Sequence, residues 1–198
     1  MNSNTVDRIL NLSFKLLNDG GCKAFSYNDL AKELGIKTAS IHYHFPSKAD
    51  LVNAIAKKLR LTINEMLKGI DDNYPSPEAK LKQFLETFKD RFNTSGNICM
   101  CSMMSSDFAN LPYTAKEETK GVWKDIEGWI ASVLKAGKED GTFSFEGSPE
   151  VVSKAVFASL EGSTISATTF QDRNRVNEVT SWIWSSLTKK EHNEAASL

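Results

Sequence analysis

The sequence predicts an all-α fold of about nine helices. Apolar residues recur at intervals of three and four through most of the chain, the pattern of helices that bury one face. Glycine and proline punctuation falls between those periodic stretches, at Gly20 and Gly21, Gly35, the Phe45 and Pro46 pair, DDNYPSP, TSGN, Pro112 and GTFSFEGSP. Alternation with a period of two is nearly absent: the only short β-like run is Thr142 to Phe145, and no internal repeat is found.

Taken in order, Val6, Ile9, Leu10, Ser13, Leu16 and Leu17 form one face of a first helix that the glycine pair stops. A second helix runs from Tyr27 to about Leu34, with Ser26 as N-cap, Leu30, Ala31 and Leu34 inward, and Gly35 at its end. Ile36 packs under the turn, and Thr38 caps a short third helix whose inner face carries Ile41 and which stops before Phe45 and Pro46. Ser47 caps a long fourth helix, about Lys48 to Ile70, in which Leu51, Ile55, Leu59, Ile63 and Leu67 repeat every four residues. Leu81, Phe84, Leu85, Phe88 and Phe92 stripe a fifth, from about Ser76 to Asn93. A short sixth is expected from about Ser102 to Leu111. Trp123, Ile126, Ile130, Val133 and Leu134 mark the seventh, from Thr114 to about Asp140. Two more follow, about Pro149 to Thr169 and Asp172 to Lys189, before a tail, EHNEAASL, with too little apolar content to pack.

The second and third helices, joined by a three-residue turn, make a DNA-reading element. A helix of about seven residues ended by a breaker is poor core material but fits a major groove about 12 Å wide. The order LAKELGIKTASIHYHFPSKADL, with its aromatic-His-Phe ending, Ser47 as the next cap and Lys48 one residue later, resembles the N-terminal domain of the TetR family of transcriptional repressors. The likeness is continuous from about Val6 to about Ile55, roughly a quarter of the chain. It implies an N-terminal helix-turn-helix domain over residues 1–47, a connecting helix over 48–70, and a helical ligand-binding and dimerisation domain over 71–198.

Thr38, Ala39 and Ser40 form the exposed first turn of the reading helix, where short side chains let the backbone approach DNA and amides favour phosphate. By the family pattern His42 and Tyr43 also face the groove, while His44 points inward. Lys37 in the turn and Lys48 at the next helix start are placed for backbone phosphates, and Ser26 completes the DNA-binding set. Residues 1–60 hold nine Lys or Arg against five acids, whereas the rest of this chain of net charge −1 holds fifteen bases and twenty acids. A basic head on an acidic body suits a protein that meets phosphate at one end.

A small reader gains specificity by dimerising over a palindromic operator in double-stranded DNA. Ala155, Ala158, Ser159, Gly162, Ser163, Ser166 and Ala167 would let another helix approach closely, and Val176, Val179, Trp182, Ile183, Trp184 and Leu187 give the last helix more apolar breadth than one buried stripe needs. The resemblance implies a homodimer formed by these last two helices as a four-helix bundle. It also places a small-molecule effector among the middle helices. Phe88, Phe92, Met104, Phe108, Trp123 and Phe157 are the apolar candidates, and Glu161 is a carboxylate amid small and apolar residues. Cys99 and Cys101, just before the sixth helix, complete the ligand-binding set. The segment ICMCSMMSSDFANLP resembles a block in TetR-like regulators, some of which respond to electrophiles, aldehydes or unsaturated acids.

Other classes lose ground on composition. There is no GxSxG, no phosphate-cradling glycine loop and no HExxH, so no catalytic residue is assigned. No histidine lies between His44 and His192 to serve a cysteine-dependent enzyme, and the histidines are not spaced as metal ligands, so neither metal nor cofactor is expected. A ligand-independent architectural DNA-binding protein has no need of the long acidic body. Three cysteines at uneven spacing form no disulfide framework, no segment is apolar enough to span a membrane, and MNSNTVDRIL lacks a signal peptide's pattern, so a cytoplasmic protein is expected.

Overall fold

The computed structural model describes residues 3–20 and 26–188. Among them are nine α-helices: α1 (Ser3–Gly20), α2 (Tyr27–Leu34), α3 (Thr38–His44), α4 (Lys48–Asn73), α5 (Pro77–Ser95), α6 (Met100–Ser106), α7 (Tyr113–Glu139), α8 (Pro149–Phe170) and α9 (Asn174–Leu187). The stop expected at Gly21, the end expected at Lys189 and the tail EHNEAASL lie outside the described residues.

The fold class stands as expected, with local corrections. α4 continues three residues past Ile70, because Lys68 pairs with Asp72 and the Asn73 amide donates to the Gly69 carbonyl at 2.7 Å, and it stops where Pro75 disfavours helix at Tyr74. α6 begins at Met100 rather than Ser102, and a single 3-10 turn, Phe108–Asn110, replaces its expected second half. Met100, Cys101 and Met104 are all buried, so packing draws the start upstream although Cys99, its N-cap, offers no side-chain cap. Thr142 to Phe145 form no strand; Phe143 makes one isolated antiparallel bridge to Thr188.

The chain divides into two compact units, one holding residues up to Met66 with Asn97–Asp125, the other Leu67–Gly96 with the residues from Ile126 onward. In the first, α2 packs on both α1 and α3, and α1 also packs on α6. Ile9, Leu30, Ile41, Leu51 and Ile55 are fully buried there, which meets the helical spacing read from the sequence. In the second, α9 packs on α8 and α5, and Phe92, Ala167 and Val176 form a buried cluster with Phe88 against it. Phe143 occupies the space above Gly137, where an added Cβ would fall 2.1 Å from the Phe143 ring.

Candidate nucleic-acid interface

The reading element is built on local closures. Ser26 and Asp29 form a capping box: the Asp29 amide donates to Ser26 Oγ at 3.2 Å, while the Ser26 amide and hydroxyl donate to the Asp29 carboxylate at 2.8 and 2.7 Å. These bonds hold the Asp29 carboxyl below the usual carboxylate range. Gly35 ends α2 at φ +67°, a left-handed conformation costly for other residues, and its amide reaches the Ala31 and Lys32 carbonyls. Arg8 of α1 donates to the Leu34 carbonyl at 2.8 Å, a cation on the negative end of α2.

Thr38 departs from its expected role. Lys37 is the N-cap of α3, in extended conformation and without a side-chain bond, while Thr38 is the first helical residue and its hydroxyl donates to Asn28 Oδ1 at 3.1 Å. The threonine therefore fastens α3 to α2. Ile41 is the one buried residue of α3, and Ala39, His42 and Tyr43 are exposed, Tyr43 to 79%. Ser40 is half-buried. His44 is half-buried as well, not a core histidine, and its ring stands edge-on to Tyr43 at 5.0 Å. Ala39, Ser40, Tyr43 and His44 line one wall of an open cleft of about 400 Å³ whose other lining residue is Thr5 of α1. His42 Nδ1 lies 3.3 Å from the Pro46 carbonyl, which can only accept, so this ring nitrogen is the donor of the pair.

Tyr27, Thr5 and Arg8 are contributors that sequence reasoning missed. The Tyr27 hydroxyl lies 2.9 Å from the Phe45 carbonyl and 2.6 Å from that of Ser47, so its one proton is shared across the junction between α3 and α4. Burial, and secondarily the Asp50 charge, pushes the phenol up to about 12. A polar aromatic in the first turn of a helix whose apolar stripe lies elsewhere was the available signal. Beyond this junction Ser47 and Asp50 repeat the capping box, with bonds of 2.9, 2.7 and 3.2 Å, and Lys48 is exposed in the first turn of α4. Helix N-terminal amides and an ammonium here favour the same anionic partner.

The candidate ligand residues are distributed over both units. In the first, Cys99 is the half-buried N-cap of α6, and Cys101, placed inside its first turn rather than ahead of it, is 1% exposed. Met104 is buried, Phe108 lies under the ammonium groups of Lys116 and Lys120 at 5.9 and 5.8 Å, and Trp123 Nε1 donates to Ser105 Oγ at 2.9 Å. In the second, Phe92, Phe157 and Glu161 are buried and Phe88 is half-buried. Among the described residues no group of three or more His, Cys, Asp or Glu is arranged to hold a metal ion, and no helix is long and apolar enough to cross a membrane.

Among the described residues, one face of α8 is left exposed. Val151, Ala155, Ala158, Gly162, Ile165 and Thr169 are exposed at alternating spacings of four and three, Ile165 to 45%, and Trp182 of α9 is 62% exposed. Ser163 and Ala167, which the sequence grouped with that small-residue face, are buried on the opposite side.

Comparison with known proteins agrees with this architecture. Residues 9–55 match the family described as "Bacterial regulatory proteins, tetR family". The chain is 26% identical over 143 residues to the HTH-type transcriptional repressor KstR2 of Mycolicibacterium smegmatis, a match covering 69% of this chain and 66% of that protein, just under two thirds of its length. A transcriptional regulator of the TetR family from Agrobacterium tumefaciens superposes with a TM-score of 0.90 at 26% identity, covering 94% of this chain and 99% of the other. A TetR transcriptional regulator from Legionella pneumophila superposes with a TM-score of 0.82 at 30% identity, covering 91% of this chain and 96% of the other.

Proposed function

The chain belongs to the TetR family of transcriptional regulators, and from that premise we propose that it acts in the cytoplasm as a homodimeric repressor, released from a palindromic operator by a small-molecule ligand or a thiol-reactive electrophile. The observation that carries this reading is the division of labour within α3, where Ile41 anchors the helix and Ala39, His42 and Tyr43 face outward. In this reading residues 1–47 read DNA, 48–70 connect, and 71–198 hold the effector and the dimer contact. Ala39, Ser40, His42 and Tyr43 meet bases or sugars, while Lys37 and Lys48 meet phosphates. Thr38, whose hydroxyl serves the fold, contributes through its backbone amide, and Ser26, whose amide and hydroxyl both bond Asp29, contributes as the cap that fixes α2 against the reading helix. The exposed seam on α8 with Trp182 of α9 pairs with its symmetry mate across a two-fold axis, matching the symmetry of a palindrome.

Release requires an effector that binds the DNA-incompetent form better than the competent one. Phe88, Phe92, Met104, Phe108, Trp123, Phe157 and Glu161 are the residues we assign to a non-covalent ligand. The packing of α1 on α6 supports the electrophile route, since a change at Cys99 or Cys101 has a direct path to the reading head. Cys99, half-buried, is the thiol an electrophile reaches first; Cys101 needs α6 to open.

Fluorescence anisotropy on DNA selected from random sequence, with and without a panel of thiol-reactive electrophiles, tests the proposal. Release of wild-type protein that vanishes in Cys99→Ser or Cys101→Ser makes this an electrophile sensor. Tight palindromic binding that no reagent disturbs keeps the repressor and transfers the effector role to the aromatic residues. Failure to select any palindrome overturns the repressor reading.

A further inference from the structure

Three polar side chains on one face of α4 tie it to α7 within the first unit. Asn53 Oδ1 accepts from the Ala115 amide at 2.9 Å, satisfying a donor in the first turn of α7. Arg60 places Nε 2.7 Å and Nη2 3.1 Å from the two Asp125 oxygens and Nη1 3.3 Å from Glu118, and the Asn64 amide donates to Asp125 at 3.0 Å. Asn53, Arg60 and Asn64 are spaced by seven and four residues and so share a stripe. Their partners ascend α7 in the same order, so the helices run in the same direction here. At about 1.5 Å per residue the stripes measure about 16 Å on α4 and about 15 Å on α7, which keeps them in step.

Gly121 makes room for this cluster. A Cβ there would fall 2.4 Å from Arg60 Cζ, so the guanidinium rests against the α7 backbone where any side chain would expel it. The bond to Asp125 holds Arg60 firmly protonated, and the same bond holds the Asp125 carboxyl below the usual range. Burial along α4 already comes from Leu51, Ile55, Leu59 and Ile63, and a pair as accessible as Arg60 and Asp125 adds little stability by itself. What the forked, bidentate contact adds is register, the one thing an apolar stripe specifies poorly. Register matters at this place because α4 begins directly after the reading helix and Tyr27 fastens their junction to α2.

We infer that Arg60 is a positioning residue for operator binding: its fork on Asp125 and Glu118, seated in the gap at Gly121, latches α4 to α7 and sets the half-site spacing at which the two heads of a dimer meet DNA. The inference rests on the repressor reading above. Gly121→Ala is the sharpest test, because it displaces only the flexible end of Arg60 while alanine otherwise favours the helix. Arg60→Lys removes the fork and keeps the charge. Both are compared with wild type on the selected operator, on operators lengthened or shortened by one base pair between half-sites, and on a single half-site, with melting temperatures alongside. One base pair shifts a half-site by about 3.4 Å and turns it by about 35°. The expected result is that the ratio of affinities for correct and respaced operators falls at least threefold in both variants, with half-site binding unchanged and Gly121→Ala melting no lower than wild type. A spacing preference kept intact, with affinity unchanged or reduced equally on every DNA, overturns the latch and leaves the repressor standing. Absence of palindromic binding by the wild type overturns both.

Discussion

Replacing Tyr27 by phenylalanine removes one oxygen and leaves the ring, with its edge contact to His42 at 4.7 Å, in place. The lost hydroxyl serves the Phe45 and Ser47 carbonyls on either side of Pro46, and the Phe45 carbonyl bond is partly buried. A net hydrogen bond is worth about 1 kcal/mol and leaving an acceptor that is only partly buried without its donor adds about half as much, so about 1.5 kcal/mol is expected. In a chain of this length that corresponds to a melting temperature lower by about 3–6 °C. Alkaline pH supplies an independent signature. The folded phenol titrates at about 12 against an ordinary value of 10.0, so its contribution is complete below pH 10 and is lost as pH rises through 12. Melting curves followed by circular dichroism from neutral pH into that window should show wild type losing stability faster than Tyr27→Phe above pH 10. Superimposable melting temperatures at neutral pH, together with parallel alkaline limbs, would refute the assignment of Tyr27 as the fastener of the α3–α4 junction.

Lys48→Ala should weaken binding to every DNA sequence and reduce the salt slope by about 1.8 per dimer, so that the wild-type advantage shrinks about twelvefold between 50 and 200 mM salt; a titration with an unchanged slope would put Lys48 away from phosphate. Changing Ser40 or His42 should alter which sequence a selection recovers, whereas Lys48→Ala should not. Ile165→Glu places a carboxylate in the α8 seam and should yield monomers in sedimentation that bind a half-site but discriminate a palindrome poorly; dimers that persist would move the interface elsewhere. Gly137→Ala drives a Cβ into the buried Phe143 ring and should cost about 1–3 kcal/mol despite alanine's better helix propensity, read as a lower denaturant midpoint.

Much of this architecture was legible because it is local. Spacing at three and four residues located the helices, and Ser26, Gly35 and Ser47 marked ends by chemistry that needs no distant partner, whereas the caps Ser76 and Ser148 were not read as such. The misses share a different cause. Cys99 carries no side-chain cap to announce α6, and the start at Met100 follows from burial, which a seven-residue window does not display. Thr38 looked like a cap because threonine favours that place, yet a neighbouring helix offered Asn28 Oδ1 and tertiary contact prevailed over local preference. Thr5 reaches the cleft beside α3, and Arg60 reaches Asp125 sixty-five residues away, through packing that no periodicity encodes. His44 was expected inward, but its ring is half-buried and stands edge-on to the neighbouring Tyr43, a choice of side-chain direction that spacing alone does not decide.

The two capping boxes, Ser26 with Asp29 and Ser47 with Asp50, bracket the reading helix, which commits Ile41 alone to the interior. Each helix start is closed by residues within its own first turn. Exposed positions between them therefore carry little of the folding energy, with His42 adding its contacts to the Tyr27 ring and the Pro46 carbonyl. Over evolutionary time such a head can change what it reads by drifting at Ala39, His42 and Tyr43 with little threat to its own survival, so that a duplicated copy of this regulator could acquire a new operator before it acquired any new core.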